Sequence, residues 1–77
     1  MDSRPAADRA FDAASRLKLG SWEAVESVAV LAATHPERPE SRPLLAAAQD
    51  AATQLKAGTW ESVRALAWLG RAAAAVG

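Results

Sequence analysis

Gly58-Thr59-Trp60-Glu61 is a second copy of Gly20-Ser21-Trp22-Glu23. Each stretch reads as a helix stop followed by a helix start. The glycine ends one helix and the hydroxyl residue caps the next. The glutamate lies in the new first turn, where the positive end of the helix dipole favours an anion. The match spreads outward at an offset of about 38 residues. Ser3-Arg4-Pro5 falls on Ser41-Arg42-Pro43, and Ala10 on Ala48. Asp12-Ala13-Ala14 falls on Asp50-Ala51-Ala52, and Leu17-Lys18 on Leu55-Lys56. Val25, Ala29 and Leu31 fall on Val63, Ala67 and Leu69. The chain therefore reads as one helical hairpin written twice, over residues 3–40 and 41–77. The expected fold is a single all-α domain of four helices, packed as a small bundle or a two-repeat solenoid-like unit.

The periodicity places each helix. Ser3 is the expected N-cap of the first, with Pro5 in its first turn and Gly20 as a left-handed residue past its end near Leu19. Ala10, Ala13, Ala14 and Leu17 recur at i, i+3, i+4, i+7 and mark its buried stripe, with Phe11 at the edge. Asp8, Asp12 and Arg16 project the other way, and Asp12 pairs with Arg16 at i, i+4. Lys18 is expected to complement the negative helix end. Ser21 caps the second helix, which runs to about Thr34 with Trp22, Val25, Val28, Ala29 and Ala32 inward. So short a connection predicts an antiparallel pair, with Trp22 wedged at the hinge. Pro36 and Pro39 break the helix and leave Thr34 to Glu40 as the linker. Ser41 opens the third helix, with Leu44, Leu45, Ala48, Ala51, Ala52 and Leu55 on one face. Gly58 ends it. The fourth runs from Trp60 to about Ala75, with Val63, Leu66, Ala67 and Gly70 expected inward. Gly70 costs about 1 kcal/mol against alanine, which a close helix crossing would explain.

Composition narrows the function. Nine basic and nine acidic residues give a formal net charge of zero. That lacks the cationic excess by which nucleic-acid binders release counterions. A DNA-binding reading would need Arg4, Arg9, Arg16 and Arg42 gathered on one face. The absence of cysteine removes disulfides, thiolate nucleophiles and cysteine metal sites, and fits the cytoplasm. Met1-Asp2-Ser3-Arg4-Pro5 is no secretory signal, and no apolar run approaches the roughly 18 residues of a membrane span.

No catalytic or cofactor constellation can be assembled. His35 is the single histidine, stands before Pro36 at a helix end, and has no second ligand at metal spacing. The Asp8/Asp12 pair lacks the Glu-x-x-His partner of four-helix di-metal sites. The recurrence of Asp12 as Asp50 suggests a structural contact to a neighbouring helix cap. Arg4 and Arg42 lie near helix starts, where anions are favoured, but a repeated cap followed by proline accounts for both copies. The expected protein is non-catalytic, with no cofactor and no metal.

The helix-turn-helix unit resembles, in architecture, the hairpins of tetratricopeptide-like and HEAT-like solenoids. The tetratricopeptide consensus is not matched, because here the tryptophan opens the second helix of each hairpin and Leu69-Gly70 also lies in a second helix. No functional residue is carried over.

Two hairpins cover each other once and leave outer faces that need a partner. The expected function is therefore a protein–protein interaction module, a homodimer joined through apolar surface on the second and fourth helices. Trp68, Val30 and Leu69 are the candidate anchors, with Arg64 beside them. The alternative is a small-molecule or lipid carrier with a pocket between the hairpins lined by Trp22, Trp60, Leu17 and Leu55. A structural wedge explains Trp22 and Trp60 equally well, each indole N–H then needing a carbonyl at the end of the preceding helix.

Overall fold

The computed structural model describes residues 1–77 and contains four helices and no strand. They are α1 (Ala6–Ala14), α2 (Trp22–Thr34), α3 (Ser41–Ala52) and α4 (Trp60–Val76). None is long and apolar enough to cross a membrane. The radius of gyration is 12.1 Å, close to the roughly 11.5 Å expected of a compact chain this long.

Both predicted helix starts at the tryptophans form. Ser21 and Thr59 are extended N-caps whose hydroxyls accept from the N–H groups of Ala24 and Ser62. Ser62 completes a capping box. Its Oγ accepts from Gly58 and Thr59 N–H, both at 3.1 Å, and donates to the Thr59 carbonyl at 2.6 Å. The preceding glycines differ. Gly58 has φ +117°, which a side chain rarely adopts, whereas Gly20 has no positive φ. The left-handed stop expected at Gly20 is not there.

The ends of α1 and α3 come sooner than periodicity suggests. Ser15 Oγ donates to the Asp12 carbonyl at 2.7 Å, and Thr53 Oγ1 to the Asp50 carbonyl at 2.6 Å, each satisfying a carbonyl in the last turn. The chain then tightens into i to i−3 bonds through Leu17 and Leu55. Lys18 consequently lies outside α1. The starts also differ from expectation. Pro5, not Ser3, is the N-cap of α1. Ser41 lies inside α3, fully buried, and donates to the His35 carbonyl at 2.7 Å. It ties the end of α2 to the start of α3.

The core is built by α2, α3 and α4. Val25, Val28, Ala29 and Ala32 of α2 pack with Leu45 and Ala48 of α3 and with Ala65, Leu69 and Ala72 of α4. The α2–α4 pairing is the most extensive, followed by α2–α3. Ala65 and Ala72 are fully buried, so α4 lies close against its neighbours. The Trp22 indole donates to the Lys56 carbonyl at 2.9 Å, putting the start of α2 beside the end of α3. It bridges to the segment after α3, not to the end of the helix before it. Arg42 donates to the Val76 carbonyl at 3.2 Å, putting the start of α3 beside the end of α4. So α3 runs antiparallel to both, and α2 and α4 run the same way. Arg64 Nε donates to Glu26 at 2.6 Å between residues 38 apart, joining α2 and α4 at equal height.

Helix α1 is attached differently. Its one buried side chain is Phe11, not the alanine stripe, because an alanine offers little area and a phenyl ring a great deal. Arg38 of the linker stands 4.5 Å from the Phe11 ring centroid and donates to Asp8 at 2.7 Å and Glu40 at 3.1 Å. The Arg38 guanidinium holds the Glu40 carboxyl below its ordinary value of 4.5. The predicted Asp12–Arg16 pair is present, and Arg4 also reaches Asp12. The α1–α2 contact itself is slight.

Candidate interaction surface

The buried face of α4 is not the one expected from sequence. Ser62, Ala65, Leu69 and Ala72 face the core. Val63, Leu66, Ala67 and Gly70 face outward, about 130° around the helix. Val63 is 68% exposed, Leu66 45% and Trp60 66%. The reason is geometric. Both neighbours of α4, namely α2 and α3, lie on one side of it, so only one of its two apolar stripes can be covered.

The uncovered stripe is continuous. From Leu66 through Gly70, Val63 and Ala67 to Trp60, the helix surface carries no charge. Its charged border is Arg64, 4.8 Å from the Trp60 ring centroid and held there by Glu26. Gly70 has open space where a side chain would project, so no crossing inside the chain requires it. A shallow groove of about 430 Å³ between α3 and α4 borders the stripe at Leu66 and Gly70.

A second apolar feature lies across the molecule. The slight α1–α2 contact leaves a groove of about 340 Å³ lined by Ala10, Ala13, Ala14 and Leu17 on one wall and Val30 and Leu31 on the other. Leu17 is 44% exposed there.

The sequence-derived candidates divide among these places. Leu69 is 6% exposed and belongs to the core, which removes it as an anchor on the surface of this chain. Trp68 is partly buried against the core, with Arg71 5.3 Å from its ring centroid. Val30 lines the α1–α2 groove, and Arg64 borders the α4 stripe. The four pocket candidates do not share a cavity. Trp22 and Leu55 pack on the core, Leu17 lines the α1–α2 groove, and Trp60 projects from α4. None of the three surface concavities is lined by a tryptophan. Sequence reasoning missed Val63 and Leu66 as surface residues because it transferred the inward stripe of the second helix onto the fourth.

His35 ends α2 with its ring edge toward Phe11, centroids 5.9 Å apart, and Nδ1 3.9 Å from Glu37. No three acidic or histidine side chains converge as metal ligands. Comparison with family models, curated proteins and solved structures finds no match for this chain.

Proposed function

We propose that this chain is a non-catalytic helical interaction module made of two copies of one hairpin, which self-associates through apolar surface on α2 and α4. One observation carries the reading: Trp60, Val63 and Leu66 stand in line on α4, the first two mostly exposed and Leu66 nearly half, with no charged residue among them. Scattered surface hydrophobes need no explanation, but a continuous row of large ones marks a binding face. In a chain this small the same row is a solubility liability unless something covers it. The anchors of the proposed interface are therefore Trp60, Val63 and Leu66, with Val30 on the α2 side.

Sedimentation velocity tests this. The wild-type chain is expected to associate at micromolar concentration, and Leu66→Lys to sediment as a monomer with its helical circular dichroism unchanged. A wild-type monomer at several hundred micromolar overturns the reading.

The α1–α2 groove supports a second reading, a carrier of a small apolar molecule, since about 340 Å³ falls within the usual range for ligand sites. Saturable enhancement of an apolar fluorescent probe, lost in Leu17→Glu but kept in Leu66→Lys, would favour it.

A further inference from the structure

The two open apolar features are the two halves of a contact that the chain already makes once. Inside the chain, Trp22, Val25, Val28, Ala29 and Ala32 of α2 form a ridge that packs against α3 and α4. In the sequence register, the counterparts of that ridge are Trp60, Val63, Leu66, Ala67 and Gly70, the uncovered stripe of α4. The walls follow the same rule. Ala48, Ala52, Leu55 and Leu69 belong to the core or pack against it. Their counterparts are Ala10, Ala14, Leu17 and Leu31, which line the open α1–α2 groove. Ridge and groove are thus both present twice and joined once.

We infer that the α4 ridge of one chain seats in the α1–α2 groove of a second copy, head to tail. This specifies the register of the self-association proposed above and rests on it. The internal contact is of this one-way kind. α2 packs with Val25, Val28, Ala29 and Ala32, whereas α4 packs with Ala65, Leu69 and Ala72, whose counterparts are Ser27, Leu31 and Thr34. A relation that carries the first hairpin onto the second carries the second onto the first hairpin of the next chain. Such heterologous contacts close into a ring or extend as a stack. Repeat arrays behave the same way, each unit covering the apolar face of its neighbour. Gly70 then lies under a crossing helix, where its counterpart Ala32 is already buried. The Trp60 indole finds the carbonyl of Lys18 of the second copy, as Trp22 finds that of Lys56.

The area suffices. The exposed parts of Trp60, Val63 and Leu66 amount to about 300 Å². With the matching groove surface, and two such contacts in a closed pair, the buried total is on the order of 1,200 Å², the lower bound for a stable specific interface.

A mixing experiment tests the register. Val63→Glu breaks the ridge and Ala13→Glu the groove. Both positions are exposed in the single chain, so helicity and melting temperature, measured below the association concentration, are expected to be unchanged. A head-to-tail contact predicts that each variant alone associates about a hundredfold more weakly than wild type, because it must bury an unpaired carboxylate. Mixed in equal amounts, they are expected to form a one-to-one complex tighter than either variant alone and weaker than wild type, since one of the two contacts is restored, joining the intact ridge of Ala13→Glu to the intact groove of Val63→Glu. Association of Ala13→Glu at wild-type strength, with no complex on mixing, overturns the register but leaves self-association through α4 standing. A monomeric wild type overturns both. Should either carboxylate lower the helicity, Leu66→Lys and Leu17→Glu replace the pair and carry the same expectations.

Discussion

Trp22 and Trp60 occupy the same place in the two sequence copies and have different partners. Trp22 is packed on the core and donates to a backbone carbonyl, while Trp60 is two-thirds exposed under Arg64. In the isolated chain, Trp22→Phe is expected to lose about 1 kcal/mol with this hydrogen bond and the packing of the indole on the core. Trp60→Phe is expected to stay within about 0.5 kcal/mol of wild type. Urea denaturation below the association concentration checks both. Gly70 gives a third residue-scale test. A methyl group there meets nothing within 4 Å, so Gly70→Ala is expected to raise stability by up to about 1 kcal/mol through helix propensity alone. Which residues carry caps was legible in the sequence, since Ser21 and Thr59 obey local chemistry. Which tryptophan is covered was not, because that depends on the helix that reaches it.

At the scale of the element, the extents of α2 and α4 followed from periodicity and caps, and the outward turn of α4 did not. Periodicity reports that a helix has an apolar stripe. On α4 two stripes qualify, Ser62-Ala65-Leu69-Ala72 and Val63-Leu66-Ala67-Gly70, and the larger side chains belong to the one left open. Tertiary context chose the alanine-rich stripe, which admits closer approach. Helix α1 was misjudged for a related reason. Its alanine stripe has the right spacing, but Phe11 and the Arg38 pairs hold it. The Arg38–Glu40 pair beside this attachment is sensitive to acid. The carboxyl of Glu40 sits below its ordinary 4.5 because Arg38 donates to it. A depressed carboxylate contributes its stabilisation above the unfolded value and loses it as pH falls through the folded one. Amide exchange, corrected for intrinsic rates, is therefore expected to show protection at the start of α3 falling as the pH drops below the ordinary 4.5 of Glu40. Equal protection above and below that value would show that the Arg38–Glu40 pair adds nothing.

At the scale of the whole molecule, an all-α chain of four helices was legible from the repeated junction and two prolines. The candidate site was legible only in outline. The fourth helix carries three exposed large apolar side chains, Trp60, Val63 and Leu66, whereas the second has none that is exposed; Leu69 is interior, and the row that faces solvent lies on the other side of α4. The mixing of ridge and groove variants belongs to this scale, because no change within one chain distinguishes a one-way contact from a symmetrical one.

The shared direction of α2 and α4 has an electrostatic consequence. Two helices side by side in the same sense place like dipole ends together, an arrangement that repels. Here α3 lies against both with the opposite sense, Glu23 and Glu61 sit at the two positive ends, and Arg42 reaches the last carbonyls of α4. In the proposed stack each further chain would add two more like-oriented helices, its α2 and α4. The arriving molecule must bring its own counter-oriented rod, and the nine residues of α1, short and loosely moored, are the segment placed to serve.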